Sequence, residues 1–155
     1  MVVVSDTTAI TSLLKIGAAE LLEQLFGSVF VPEAVRFELG NYHDQVPAFL
    51  TIRSVQDRPA VARLLQELDR GEAEAIVLAK ELHAEALLID EKRARAIAES
   101  EGVRCLGLAG ALLLAKQRAI VTNLEEMLNR LERQANFYLL PTVKRELLRQ
   151  AGEAT

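Results

Sequence analysis

The alternation of short apolar runs with helical patterns constrains this fold more than any other feature of the sequence. The clearest run is at residues 86–89, where Ala86, Leu87, Leu88 and Ile89 are all apolar. A strand without alternating polar residues is typical of a parallel sheet that is buried on both faces. Comparable strand-like runs lie at residues 2–4, 28–31, 50–53 and 103–106.

Helical patterns fill the segments between these runs, at residues 8–25, 32–39, 59–68, 91–101 and up to residue 116. Pro32 suits the first turn of its helix, and Gly40 and Gly102 are expected to end the helices that precede them. Strands that alternate with helices predict βαβ units. The expected fold is therefore a three-layer α/β/α fold with a central parallel sheet.

The end of the chain differs, since residues 124–149 carry only a helical pattern. Thr122 and Glu125 stand before it at the spacing of a capping box. We expect one domain over residues 1–155, with a core at about residues 1–121 and a helical C-terminal extension at about residues 122–155. The apolar side chains of this tail need a partner surface, either the sheet domain or a second copy of the chain.

Composition and charge exclude several classes of protein. The net charge is −4, whereas a protein that coats DNA without specificity is normally basic. Cys105 is the only cysteine, so it cannot form an intramolecular disulfide, and we expect it in a buried strand. Asp6 interrupts the first apolar run, and the longest apolar stretch, residues 106–115, is too short to cross a membrane. We expect a soluble, cytoplasmic protein.

Two aspartates directly follow strand-like runs: Asp6 after residues 2–5, and Asp90 after residues 86–89. In open α/β sheets, ligands bind beyond the carboxyl ends of the strands, near the point where strand order reverses. Both aspartates are therefore candidate site residues. The alternative is that each one caps the helix that follows it. Arg93 stands where a capping box after Asp90 would have Glu or Gln.

Glu38 lies on the apolar stripe of the helix predicted after Pro32. At a period of 3.6 residues it shares a face with Ala34, Val35 and Leu39. A carboxylate directed towards a core is costly unless it is paired or bound to a cation. The alternative is that Glu38 lies at the edge of the stripe and pairs with a nearby base such as Arg36.

Residues 69–74 contain three further carboxylates. Asp69 and Glu72 have the spacing of a capping box, which gives both a structural role. Glu74 is then left in the first turn of a largely apolar helix. It is either a site residue or a solvated charge that the helix dipole stabilises.

Carboxylates that are brought together have a specific use in phosphodiester cleavage. Hard divalent ions such as Mg²⁺ prefer oxygen ligands, and two such ions about 4 Å apart can activate a water and stabilise the leaving oxygen. Without metal, the carboxylates would repel one another and some would take up protons. His43 and His83 have no partner at zinc-binding spacing, and the sequence contains no Gly-rich phosphate loop.

Four segments resemble, in the same order, the motifs of the PIN-domain family. The first is Val4-Ser5-Asp6-Thr7-Thr8, and the second is residues 31–39 around Glu38. The third is Gly71-Glu72-Ala73-Glu74-Ala75-Ile76, and the fourth is residues 88–95 around Asp90. The ordered set is far more specific than any one motif, and it spans about residues 2–121. It is similar to the VapC-like subgroup, whose members are often toxins of toxin–antitoxin pairs.

The resemblance implies a metal-dependent endoribonuclease, with RNA as substrate, a homodimer as the assembly and a small antitoxin protein as partner. It implies that four carboxylates form a catalytic site for Mg²⁺ or Mn²⁺, namely Asp6, Glu38, Glu74 and Asp90. It further implies that Thr7 supports this site and that Arg93 or Arg95 contacts substrate phosphate. The sequence departs from the family in three places. The third acidic position is Glu where Asp is frequent, Leu108 replaces the Thr expected after Gly107, and the helical tail after Thr122 lies outside the core resemblance.

Two other functions stay open on the sequence alone. The first is a catalytically silent PIN-fold module that binds RNA or a protein; the intact acidic set favours the enzyme over this alternative. The second is a metal-dependent phosphatase or related hydrolase. That class would need a second Asp two residues after Asp6, where this chain has Thr8.

Overall fold

A computed structural model describes residues 1–153 of the chain. The strands are β1 (Val3–Ser5), β2 (Val29–Pro32), β3 (Leu50–Arg53), β4 (Ala86–Leu88) and β5 (Cys105–Leu106). They form one parallel sheet in the order β3-β2-β1-β4-β5. Each of the five predicted strand-like runs thus overlaps a strand, and the predicted parallel sheet is confirmed.

Nine helices within residues 1–153 connect and cover these strands. They are α1 (Thr7–Lys15), α2 (Glu20–Phe26), α3 (Glu33–Tyr42), α4 (Arg58–Leu64), α5 (Arg70–Glu81), α6 (Lys92–Ser100), α7 (Leu108–Gln117), α8 (Leu124–Ala135) and α9 (Pro141–Gln150). None of these helices is long and apolar enough to span a membrane.

The sheet is buried on both faces because consecutive side chains of a strand point to opposite sides. Val3 joins a hydrophobic cluster with α1, α2 and α7, whereas Val4 joins a second cluster with α4, α5 and α6. In β4, Leu88 belongs to the first cluster and Leu87 to the second. The predicted three-layer α/β/α arrangement is confirmed.

The strand order reverses between β1 and β4. From β1 the chain continues to β2 and β3 on one side, and then crosses to β4 and β5 on the other. Ser5 pairs with Leu88, and the amide of Asp6 donates to the Leu88 carbonyl at 2.9 Å. Helix α3 follows β2 directly, and α5 packs on β1, β2 and β4. The reversal point therefore lies at the same edge of the sheet as the start of α3.

Three helical segments differ from the sequence prediction, and the one predicted at residues 59–68 ends at Leu64. Residues 8–25 form two helices rather than one, because Gly17 adopts a left-handed conformation with φ of 68° between α1 and α2. Gly40 does not end its helix, which continues to Tyr42 and ends at His43. The 3.6-residue period continues across a break of this kind, so the pattern alone does not reveal it.

The tail also contains two helices. Asn136 has a left-handed conformation with φ of 52° after α8, and Pro141 begins α9. The cap of α8 is Asn123, whose side chain accepts from the Glu126 amide at 2.9 Å, so the capping box predicted at Thr122 is wrong by one position. The buried leucines of α8 and α9 join the hydrophobic cluster that contains Val3 and α1. They are Leu124, Leu128, Leu131 and Leu148.

Candidate active site

Asp6 lies immediately beyond β1 and is only 7% exposed. It occupies the N-cap position of α1, but its side chain makes no capping hydrogen bond, so its interpretation as a helix cap is not supported. Burial is the main cause that raises the pKa of the Asp6 carboxyl to about 7. The negative charges of Glu72, Asp69 and Glu38 raise this pKa further, whereas the Thr7 amide lowers it.

Glu38 is half-buried and comes from the middle of α3. Its Oε2 accepts a hydrogen bond from Thr7 Oγ1 at 2.5 Å, rather than pairing with Arg36. Its Oε1 lies against Gly71, where an added Cβ would stand only 2.5 Å away. Glycine at this position therefore permits the close approach of α5 to the Glu38 carboxylate.

Glu72 takes part in the capping box predicted with Asp69, which is confirmed. Asp69 Oδ1 accepts from the Glu72 amide at 2.8 Å, and Glu72 Oε1 accepts from the Asp69 amide at 3.1 Å. Burial is the main cause that raises the pKa of the half-buried Glu72, and the charges of Asp69, Glu91 and Glu38 add to it. We call Asp6, Glu38, Asp69 and Glu72 the acidic cluster, because these four carboxylates influence one another electrostatically.

Glu74 is 4% exposed, and its carboxylate is neutralised by other groups. Oε1 accepts from the Ala34 amide at 3.1 Å, in the first turn of α3. Oε2 lies 3.2 Å from Arg58 Nη2 and 4.0 Å from Arg70 Nε. These contacts join α5 to α3 and α4, and they give Glu74 a structural role.

Asp90 follows β4 by two residues and is half-buried. Both of its oxygens accept from the Leu108 amide, at 3.2 and 3.1 Å, at the first residue of α7. The side chain of Glu91, not that of Asp90, caps α6. Burial raises the pKa of Asp90, and this effect exceeds the lowering of the pKa by the Leu108 amide and by the charge of Arg95. Asp90 thus caps α7, the helix start at which this chain lacks the family's Thr.

The two candidate phosphate contacts lie near the start of α6. Arg93 is exposed and pairs with Glu67 at 3.1 Å. Arg95 lies beside Asp90, since a Cβ added at Gly107 would meet Arg95 Nη1 at 3.1 Å and Asp90 Oδ1 at 2.9 Å. Arg95 therefore borders the carboxyl end of β4, whereas Arg93 is held by a surface ion pair.

Thr7 is hydrogen-bonded to Glu38, and Asp6 lies near enough to Glu38, Asp69 and Glu72 for their charges to act on it. The sequence assigns Asp69 and Glu72 to capping. The carboxylates of Glu74 and Asp90 make their hydrogen bonds elsewhere. In this conformation, no three acidic, His or Cys side chains of residues 1–153 converge closely enough to hold a metal ion.

The sequence held one clue to Glu72 that its capping role concealed. The box uses Oε1, so the second carboxylate oxygen of Glu72 lies outside it. Gly71 directly before it allows a close approach, but which side chain approaches could not be read from the sequence. The acidic cluster is a region of negative charge with oxygen donors, which attracts divalent cations.

Comparison with known families gives one match. The family model DUF3368, described as a PIN domain, matches residues 2–153. Comparisons with curated proteins and with solved structures gave no match. The family match includes the tail helices α8 and α9, so it extends beyond residue 121, where the motif resemblance ends.

Proposed function

This chain belongs to the PIN-domain family, and from that premise we propose that it is a metal-dependent endoribonuclease that cleaves RNA phosphodiester bonds. PIN domains are typically nucleases and generally use divalent metal ions. The observation that carries the proposal is the Asp6 carboxyl. It is buried at the reversal point of the sheet, among like charges that help to raise its pKa to about 7.

The donor chemistry of the acidic cluster suits Mg²⁺ or Mn²⁺, because these ions prefer carboxylate oxygens. We propose Asp6, Glu38 and Glu72 as ligands, which would have to converge further to hold the ion, with Asp90 at the border of the site. A bound ion would supply positive charge that stabilises a developing oxyanion and promotes ionisation of water. Thr7 orients the Glu38 carboxylate by donating to Oε2.

The direct test is RNA cleavage by the purified chain with Mn²⁺, before and after the substitution Asp6→Asn. Cleavage should disappear in Asp6→Asn and in excess EDTA. The circular dichroism spectrum of Asp6→Asn should show that the variant is still folded. Asp44→Asn is the matched control, because Asp44 is an exposed loop residue. Cleavage at the wild-type rate by Asp6→Asn, or in EDTA, would exclude this mechanism. RNA that the wild type binds but does not cut would identify the silent PIN-fold module instead.

A metal-binding measurement gives evidence independent of activity. An ion that binds only the folded state raises the free energy of unfolding by mass action. Mn²⁺ should therefore raise the melting temperature of the wild type and of Asp44→Asn, but raise that of Asp6→Asn much less. Equal rises in all three proteins would mean that the ion binds elsewhere.

Either Glu72 or Glu74 could supply the third carboxylate of the metal site, and we propose Glu72. Glu72→Gln should lose most cleavage while remaining folded, since Gln can also complete a capping box. Glu74→Gln should retain more cleavage and lose stability, because the charge of Arg58 is left without its partner. The opposite result, with Glu72→Gln active and Glu74→Gln inactive but stable, would restore the assignment of Glu74.

We further propose that the protein is a cytoplasmic, VapC-like toxin that forms a homodimer and is silenced by a small antitoxin. The ordered motif series supports the subgroup, and the tail offers exposed apolar side chains for an interface, including Tyr138 and Leu140. Expression that arrests growth, and relief of that arrest by the product of an adjacent small gene, would support the toxin. Sedimentation as a monomer would refute the dimer.

A further inference from the structure

A groove of about 590 Å³ lies beside Glu38, between α3, α4 and α5. Three arginines line this groove: Arg36, Arg58 and Arg70. Phe37, which is 68% exposed, also lines it. We call it the arginine groove. Because Glu38 belongs both to this groove and to the acidic cluster, the groove opens directly onto the proposed catalytic site.

The charges of the groove leave guanidinium groups available to an anion. Arg58 and Arg70 both face the single carboxylate of Glu74, so the three groups together keep one positive charge. Arg36 is exposed and forms no ion pair with any residue in the range 1–153. Glu33 and Glu38 also line the groove and oppose these positive charges, so the six charged side chains sum to zero unless a cation at the acidic cluster neutralises Glu38.

We infer that the arginine groove binds the single-stranded RNA next to the bond that is cut, an inference that rests on the proposed function. Guanidinium groups match phosphate geometry with several donors at once. An exposed aromatic ring among them gives an unpaired base a surface on which to stack. Bases within a duplex already stack on one another, so this combination selects an unpaired strand.

The test is fluorescence anisotropy with a short, labelled, single-stranded RNA in EDTA, where binding is measured without cleavage. Phe37→Leu should weaken binding about fivefold or more, the lower end of what loss of a stacking ring costs. Tyr42→Leu, at a ring on the same helix that is 76% exposed but does not line the groove, is the control and should bind as the wild type. The same RNA annealed to its complement should bind more weakly. Unchanged binding by Phe37→Leu, or tighter binding of the duplex, overturns the inference.

Salt dependence tests the arginines separately. Arg36→Gln and Arg70→Gln should each reduce the slope of log affinity against log salt by about 0.7, the value for one phosphate contact on a single strand. Arg104→Gln is the control, because Arg104 is exposed and precedes β5 at the opposite edge of the sheet. Glu33→Gln should strengthen binding. Slopes equal to the wild-type slope in both groove variants would refute the phosphate contacts.

The two proposals fail in distinguishable ways. If the wild type cleaves RNA but the groove variants bind it as the wild type does, the groove inference fails and the nuclease stands. If binding depends on Phe37 and Arg36 but Mn²⁺ produces no cleavage, the nuclease fails and the groove stands. An intact protein that binds no single-stranded RNA in EDTA refutes the groove directly.

Discussion

The substitution Asp6→Asn should stabilise the metal-free protein at pH values above 7, although it removes a charged group from the proposed site. The folded protein holds the Asp6 carboxyl in a buried position among like charges, and its pKa is raised from 3.8 to about 7. Ionisation of Asp6 is therefore less favourable in the folded chain than in the unfolded chain. Asn cannot ionise, so it removes this penalty.

The magnitude follows from the gap between the two pKa values. At about 1.4 kcal/mol for each pH unit, this gap corresponds to about 4 kcal/mol of unfolding free energy. Between pH of about 4 and 7 the folded state keeps a proton that the unfolded state has lost, so the stability of the wild type falls as pH rises through this window. Above this pH window, the full cost of ionising the buried Asp6 lowers the stability of the wild type. The buried Asn amide also loses hydration, so we expect a net gain of about 2–4 kcal/mol above neutral pH.

Urea denaturation in EDTA measures the effect, with wild type, Asp6→Asn and Asp44→Asn compared at pH of about 8.5 and about 4. The gain of Asp6→Asn should be large at the higher pH and largely absent at the lower, while exposed Asp44→Asn should follow the wild type at both. Added Mn²⁺ at the higher pH should reduce the advantage of Asp6→Asn. A variant less stable than the wild type at high pH, or a gain independent of pH, would refute the reasoning.

Other substitutions test the surroundings of Glu38. Gly71→Ala should lower kcat for RNA cleavage, since its Cβ would displace the Glu38 carboxylate; Gly40→Ala, whose Cβ would meet nothing within 4 Å, should leave kcat unchanged and raise stability by about 0.4–1 kcal/mol. Glu74→Gln should lower the free energy of unfolding in urea by about 1–3 kcal/mol, because hydrogen bonds to a charged group are weakened. Thr7→Val removes the hydrogen bond to Glu38 and should reduce cleavage while melting within a few degrees of the wild type.

The fold was predictable because burial on both faces leaves a direct trace in the sequence. Strands β1, β2 and β4 carry consecutive apolar residues, which only a covered sheet accommodates. The breaks inside the helical segments were not predicted, since they depend on backbone conformation rather than on periodicity. Gly17 and Asn136 adopt left-handed conformations, in which the chain changes direction while the apolar spacing continues.

The places of the site residues in the fold were more predictable than the groups that their side chains contact. Asp6 and Asp90 lie beyond the carboxyl ends of adjacent strands, as their places after apolar runs indicated. The sequence did not indicate that Asp90 would accept from Leu108, because that contact depends on how α7 follows β5. Glu72 and Glu74 are two residues apart on one helix and point about 200° from each other. Which of them faces the acidic cluster depends on the packing of α3 against α5.

The structural and the functional carboxylates differ in whether their charge is already satisfied. Glu74 accepts from an amide and faces two arginines, and Asp90 accepts from the start of α7, so both stabilise the folded chain without a further ligand. Asp6 makes no capping hydrogen bond and has its pKa raised by burial and by neighbouring carboxylates. Glu72 combines the two cases, because one oxygen serves the capping box while the group remains among like charges. A capping role and a place in a cation site are therefore compatible in one glutamate, and a capping box is no argument against function.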